Sequence, residues 1–366
     1  MQLNSLTIKE LNIPFKVSFQ HSSAVRSTTE TVLVEAKTTD GIAAVGEGCP
    51  RQYVTGETVA TAVEFFNRHR PEFLTITDVA QLKCWVENHK TEIDKSPAAF
   101  CAVELALLSA LAKTSGQSIE ALLLLSPLCG EFQYTAVLGV KNTSHFEGQL
   151  RQYLDMGFRD FKVKIFGEYA VDLANIGALN NCGYDDIRVR LDANNLWSSV
   201  TIAADYIKGL ECSAFALEEP LKVFNYRGCN QLSDELGMSI ILDESFTRGA
   251  MFENIMDNPK AWVVNLRISK MGGLLRSLAI AERARNINIS IIIGAQVGET
   301  SILTRAALTV ANAYRDIVIA QEGAFGTHLL EYDIIDPSIM FGQRGVLKWK
   351  SSLMSSEGES GEASFD

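Results

Sequence analysis

The sequence lacks any close pairing of cysteines. Its seven, at positions 49, 84, 101, 129, 182, 212 and 229, are odd in number and widely spread, with no C-x-x-C pair and no metal-finger spacing. That argues against a disulfide scaffold and predicts a reduced, cytoplasmic protein with buried thiols. Positive charge is short as well: 33 Lys and Arg face 44 Asp and Glu, leaving a net charge of -11 and a pI near 5.1. A nucleic-acid or anionic-membrane partner is therefore not expected, because both surfaces are polyanionic, while cations concentrated locally still allow an anionic substrate. The N-terminus, MQLNSLTIKELNIPF, has no basic segment followed by an apolar run, and no stretch approaches the length needed to span a bilayer. Neither secretion nor membrane insertion is expected.

What is present is ordinary globular composition. At 366 residues and 47% hydrophobic, the chain can form one large domain plus a smaller one with a sizeable core. The first third mixes strands and helices. Alternating patterns predict strands at 3–11 and 31–38, with Asp40-Gly41 turning into a return strand at 42–47. Between the first two lies 14–29, PFKVSFQHSSAVRSTT, polar and aperiodic, which reads as a loop and a candidate lid. Helical patterns follow at 57–70, 78–90 and 97–113, the last strongly apolar. Residues 1–130 thus read as an α+β unit, a sheet packed on helices.

From 131 to 325 the pattern changes to eight short apolar runs alternating with stretches of helical length, at 134–138, 161–165, 189–192, 214–218, 239–243, 262–267, 289–293 and 317–321. Eight β-α repeats predict parallel strands closed into a TIM barrel rather than an open sheet. The turn-rich stretch 326–350 does not look like an eighth barrel helix and is expected to return to the first domain. The small, polar, acidic tail 351–366 is expected to be disordered.

The run ending in FKVKI places Lys162 and Lys164 two apart, on one face of a strand, where mutual repulsion lowers the pKa of at least one. A lysine so perturbed can act as a base near neutral pH. An isolated K-x-K is more often a pair of surface lysines, so the pair alone decides nothing. The later runs supply the context: Lys164, Asp192, Glu218, Asp243, Arg267, Gln296 and Glu322 follow one another at intervals of 24 to 29 residues. Each interval is one β-α unit, so each group falls at the C-terminal end of a successive strand, the rim where barrels build active sites. A single carboxylate there can equally cap the next helix. Three on consecutive strands would repel one another strongly, and a bound cation resolves this most simply. All-oxygen ligation by Asp192, Glu218 and Asp243 favours Mg2+ first and Mn2+ second. A lysine base opposite Mg2+ suits removal of a proton α to a carboxylate. Glu219 and Glu244 stand beside ligands, as hydrogen-bond partners of a lysine or as structural groups.

K-V-K, L-D-A-N, L-E-E-P, L-D-E-S and the later M-G-G, in that order and spacing, resemble the enolase superfamily in its muconate lactonizing subgroup, within the mandelate racemase/muconate lactonizing enzyme family. The resemblance covers nearly the whole chain. It implies that the N-terminal α+β unit is a capping domain with lid loops, and that the segment Thr55-Gly56-Glu57 is similar to a specificity loop. It further implies Lys164 as acid/base, Lys162 tuning it or aiding the substrate carboxylate, and Mg2+ on Asp192, Glu218 and Asp243. Substrate contacts would come from His21, Arg26, Arg51 and Tyr53 in the loops, and from Asn194, Gln296 and Glu322 on the barrel. A small carboxylate substrate and a homo-oligomer are also implied.

One position departs from the family pattern. The second catalytic lysine of N-x-K-x-x-K-x-G-G falls where this chain has Arg267, in Asn265-Leu266-Arg267-Ile268-Ser269-Lys270-Met271-Gly272-Gly273. A guanidinium keeps its proton at usable pH and cannot be a general base; Lys270 reads as structural or as starting the next helix. The expectation is therefore a one-base lyase or isomerase, of the muconate cycloisomerase or o-succinylbenzoate synthase kind, with Arg267 as a fixed cation. The alternatives are a dipeptide or N-acyl amino acid epimerase and, in another class, a binding protein that kept the fold without chemistry.

Overall fold

The computed structural model describes residues 1–21 and 24–350, with side chains placed there except at 18–25. The tail 351–366, expected to be disordered, lies outside the described residues. The chain opens with β1 (Leu3–Leu11), β2 (Pro14–His21), β3 (Ala24–Thr28), β4 (Thr31–Thr38) and β5 (Ala43–Gly48). β1, β4 and β5 form an antiparallel sheet with β4 in the middle. Its central position explains why Val32, Leu33, Val34 and Ala36 are all buried, on both faces of the strand. The polar stretch 14–29 is not an irregular loop: β2 and β3 pair as an antiparallel ribbon, with Pro14 opposite Thr28 and Phe19 opposite Arg26. Phe15, Val17 and Phe19 do alternate along β2, but three apolar positions among polar neighbours are too short a pattern to stand out from a loop.

Six helices follow: α1 (Gln52–Thr55), α2 (Val59–Phe73), α3 (Val79–Asn88), α4 (Lys90–Lys95), α5 (Pro97–Ser115) and α6 (Ile119–Leu122). The ends of the longer ones are written in the sequence. Thr58 accepts from the Thr61 N–H to cap α2, Asp78 accepts from the Gln81 N–H to cap α3, and left-handed Gly116 ends α5. α5 lies against the sheet so closely that a Cβ on Gly46 would fall 2.1 Å from the Ala102 carbonyl oxygen. This helix corrects one expectation, since its 19 residues and mean hydropathy of 1.4 reach bilayer-spanning length and composition. Here it is a core helix, buried from Pro97 through Leu108.

The second sheet is built from β7 (Ala136–Leu138), β8 (Asp160–Lys164), β9 (Arg188–Asp192), β10 (Ala214–Glu218), β11 (Ser239–Leu242), β12 (Trp262–Arg267), β13 (Ser290–Gly294) and β14 (Val318–Gln321), preceded by the short β6 (Gly130–Gln133). Its eight strands are parallel and lie in sequence order. The seam closes where the Thr135 N–H donates to the Gln321 carbonyl at 2.8 Å. The fold is a modified TIM barrel carrying an N-terminal α+β unit. Helices α7 (Thr143–Asp155), α8 (Tyr169–Asn180), α9 (Val200–Gly209), α10 (Tyr226–Leu236), α11 (Ile268–Met271), α12 (Leu274–Asn286) and α13 (Ser301–Ala313) connect the strands. Between β11 and β12 two 3-10 turns, Gly249–Asn254 and Pro259–Ala261, replace a helix.

After β14 the chain meets the ribbon again. Lys16 N–H donates to the Leu329 carbonyl, and Glu331 N–H to that of Pro14. The last strand, β15 (Val346–Trp349), pairs antiparallel with β6. Inside the barrel, Ala216, Ile241, Val263, Ile292 and Ala320 form a small apolar layer apart from the main core. That layer is the floor on which the polar rim stands.

Three of the seven cysteines, 49, 101 and 229, are buried as expected. Cys84 and Cys129 are exposed, and all seven are free thiols.

Candidate active site

Side chains two apart on a strand share a face, so the residues two before each strand-end group also enter the barrel. Lys162 and Arg190 sit one step below Lys164 and Asp192, on paired positions of β8 and β9. Both are buried in an acidic nest. Lys162 Nζ lies 3.2 Å from Asp192 Oδ2, 3.1 Å from Glu218 Oε2 and 3.2 Å from Glu322 Oε1. Burial alone would strip its proton, but these three carboxylates outweigh burial and hold Lys162 charged, above the ordinary lysine range. Arg190 donates to Glu322 Oε1 at 2.7 Å and to Asp160 and Thr135 below. Lys162 and Arg190 together hold the Glu322 carboxyl well below its usual range against the opposing effect of burial.

Lys164 is in a different situation, one step higher at the rim. Its Nζ donates to Asn194 Oδ1 at 3.2 Å, with no carboxylate in hydrogen-bond reach. Burial, helped by the Lys162 charge and opposed by Asp192, depresses its pKa. The repulsion expected from the K-x-K pair therefore falls on Lys164, and burial is the larger cause. Asn194, with left-handed backbone, donates its amide to Asp192 Oδ1 at 2.9 Å, linking base and carboxylate.

The three carboxylates expected to converge do so at the ends of β9 and β10 and just past β11, and all are buried. Burial raises Asp192, and the Lys162 and Lys164 charges more than offset it; for Glu218, burial with the Asp192 and Glu322 charges prevails and its pKa is raised. Asp243 is held from below by Lys270, whose Nζ donates at 2.8 Å to Asp243 Oδ1, to the Asp243 carbonyl and to the Asn265 carbonyl. Lys270, in α11, is thus structural, holding the carboxylate from below. Asn265 Nδ2 donates to Glu218 Oε1 at 3.0 Å. Gly294 is required beside it, since a Cβ there would fall 2.0 Å from Asn265 Oδ1. Glu219 bonds no lysine: it accepts from the Asp243 and Ser245 N–H groups, each at 2.7 Å, and from the Ser245 hydroxyl, so it fixes the turn that carries Asp243.

The donor set fits a hard divalent cation. Glu218 Oε2 is buried with no donor directed at it, since Lys162 stands off the hydrogen-bond direction, and Glu244 Oε2 is buried without a partner too. Burial first, then the Glu219 and Asp192 charges, pushes the Glu244 carboxyl up to about 7. Glu218 Oε2, an unpartnered buried oxygen on one of the three carboxylates, is what an oxygen-coordinated ion satisfies.

Across the barrel, Arg267 binds Asp243 Oδ2 through Nη2 and donates to Gln296 Oε1 at 3.0 Å through Nη1. Gln296 N–H in turn donates to Glu299 at 2.6 Å, and burial pushes that carboxyl up to about 7. Glu299 was not among the sequence candidates; only its place three residues after Gln296, in the loop beyond β13, could have marked it. Arg190, Asn265 and Lys270 could have been found by stepping two residues back, or three forward, from a strand-end group.

The loop candidates divide. Arg51 is fully buried, its guanidinium donating to the carbonyls of Thr29, Glu30, Pro50 and Val297. It fastens the turn between β3 and β4 to the loop after β13 and, fully buried, presents no surface to the barrel rim. Glu57 is equally buried and accepts from the Ala98 and Ala99 N–H groups at the start of α5. Arg26 pairs with Glu30. Tyr53 is exposed on α1. His21 ends β2, and its side chain lies outside the described residues.

Known proteins match this chain along most of its length. Residues 4–123 match the family "Mandelate racemase / muconate lactonizing enzyme, N-terminal domain", and residues 145–346 match "Enolase C-terminal domain-like". A hydrophobic dipeptide epimerase of Enterococcus faecalis is 24% identical over 89% of this chain and 92% of its own. An N-succinyl-L-Arg/Lys racemase of Bacillus cereus is 22% identical over 85% and 84%. The solved structure of the Enterococcus faecalis V583 dipeptide epimerase, complexed with Mg and L-Leu-L-Tyr, superposes with a TM-score of 0.82 at 22% identity, over 96% of this chain and 98% of that one.

Proposed function

The chain belongs to the mandelate racemase/muconate lactonizing enzyme family of the enolase superfamily and is an enzyme of it, and from this we propose that it is a Mg2+-dependent epimerase of dipeptides or N-acylated amino acids. The one-base cycloisomerase or dehydratase expected from Arg267 yields first place, because the relatives are named epimerases and racemases. The observation that carries the reading is Lys164: a lysine with a depressed pKa at the rim, hydrogen-bonded among the described residues to Asn194 alone, beside the carboxylates expected to hold the metal.

In this reading Asp192, Glu218 and Asp243 hold Mg2+. Bound there, Mg2+ would supply a Lewis acid for the substrate carboxylate, lowering the cost of the negative charge that develops on it. Lys164, whose pKa burial depresses, removes in its neutral form the proton from the carbon α to that carboxylate. Lys162 stays protonated, since its three carboxylates hold the charge, and it orients Asp192 and Glu218. Inversion requires a proton delivered to the opposite face, the Arg267 side. Arg267 keeps its own proton. Glu299, the neighbour of its partner Gln296, has a carboxyl near 7 and can carry that proton.

The test is incubation with Mg2+ in D2O of a panel of L,L-dipeptides and N-succinyl amino acids, reading α-proton exchange by NMR and configuration by chiral chromatography. Exchange with inversion at one stereocentre is expected. No exchange on any member would sink the proposal. Arg267 keeps a second reading alive, a one-base reaction, and exchange with complete retention would favour it.

A further inference from the structure

Three side chains at the far end of the N-terminal helices form a cluster that the reaction does not use. His69 and Glu72 are three apart near the end of α2, hence on one helix face, and His89 follows the last residue of α3. His69 Nδ1 lies 3.4 Å from Glu72 Oε1, and His89 Nε2 lies 3.3 Å from Glu72 Oε2. One donor atom from each of the three falls within 4.8 Å of the others.

These separations are long for hydrogen bonds, which favour about 2.9–3.0 Å. They equal the spacing of two ligands on one tetrahedral ion, roughly 3.3–3.4 Å for metal bonds of about 2.0–2.1 Å. The surroundings orient each donor. His89 Nδ1 lies 2.9 Å from the Trp85 carbonyl and donates to it, so in the neutral ring it is the Nε2 lone pair that faces the Glu72 carboxylate, where a cation would satisfy both. The Trp85 indole N–H donates at 2.7 Å to Glu72 Oε2 and fixes its plane. His89 is stacked on Trp85 at 4.0 Å, and His69 is packed against Phe65 and edge-on to Trp85. His69 Nε2 is buried without any hydrogen-bond partner. α2 ends here, and its C-terminus carries partial negative charge that favours a cation. Glu72 is half exposed and His89 a quarter exposed, which leaves an approach for an ion and a solvent ligand in the fourth position.

We propose that His69, Glu72 and His89 bind a borderline divalent cation, Zn2+ foremost, which ties the end of α2 to the end of α3. Two imidazoles and one carboxylate suit Zn2+, whereas Mg2+ prefers oxygen alone and does not compete. The site shares no residue with the barrel carboxylates.

Co2+ serves as the probe, because four-coordinate Co2+ absorbs strongly in the visible. With the whole chain in saturating Mg2+, one equivalent of Co2+ is expected to give that band and raise Tm by several degrees, with Zn2+ then displacing the colour. Band and Tm shift should vanish in Glu72→Gln and His89→Gln and persist in Asp243→Asn. No band in the wild-type chain overturns the proposal, whatever the variants do. So does a band that survives His89→Gln, or one lost in Asp243→Asn, which would place the ion in the barrel.

Discussion

Two lysines on one strand, 162 and 164, receive opposite treatment from the same site. Three carboxylates keep the first charged, while the second meets only an amide and is driven toward neutrality by burial. Replacing Lys164 with Ala should cut α-proton exchange by roughly 10²–10⁴-fold, the usual worth of a positioned base, with Mg2+ affinity retained by calorimetry. Because the base must be neutral, kcat/KM should rise with pH and level off at an apparent pKa below lysine's 10.5; a limb at or above that value contradicts the assignment. Arg267→Lys places a titratable amine where the guanidinium now stands. It should raise the ratio of inversion to exchange with retention, read in the same D2O assay.

At the scale of elements, several carboxylates reach across the fold to cap helix starts. Glu57 serves α5 and Glu104 serves α12, accepting from the Leu275 N–H at 3.2 Å. Glu57→Ala leaves the N–H groups of Ala98 and Ala99 without an acceptor and should cost about 1–3 kcal/mol, measured by urea unfolding. Such partners explain what was readable in advance. The eight strands and the ladder of strand-end groups were legible because period and spacing are local properties of the chain; β12 begins and ends where the pattern puts it. Arg51 was misread as substrate-facing, since a polar residue after a strand looks the same whether it meets solvent or a carbonyl as distant in sequence as that of Val297. The ribbon 14–29 was hidden for a different reason: its apolar alternation, Phe15, Val17 and Phe19, is only three positions long among polar neighbours.

Across the whole molecule, the N-terminal sheet and the barrel meet through buried acids. Glu47 on β5 accepts from both the N–H and the hydroxyl of Thr300, the cap of α13, and burial pushes its carboxyl up to about 8. Glu104 behaves alike, also reaching about 8. A carboxyl whose folded pKa exceeds the unfolded 4.5 favours folding while protonated, so its contribution is whole below pH 4.5 and drains away as pH climbs through 8. Urea stability should therefore fall between pH 5 and pH 9, and Glu47→Gln should flatten that decline; a slope unchanged by the substitution contradicts the assignment. The pairing of β6 with β15 has a consequence in time. The strand that precedes the barrel's first one rests on the last described strand, and the seam opposite β7 belongs to β14. Roughly two hundred residues separate β6 from β15, about 10–40 s of synthesis at roughly 5–20 residues per second. Throughout that interval the early strands wait on the ribosome with an open edge, so the barrel is a circle that translation itself must finish before it can close.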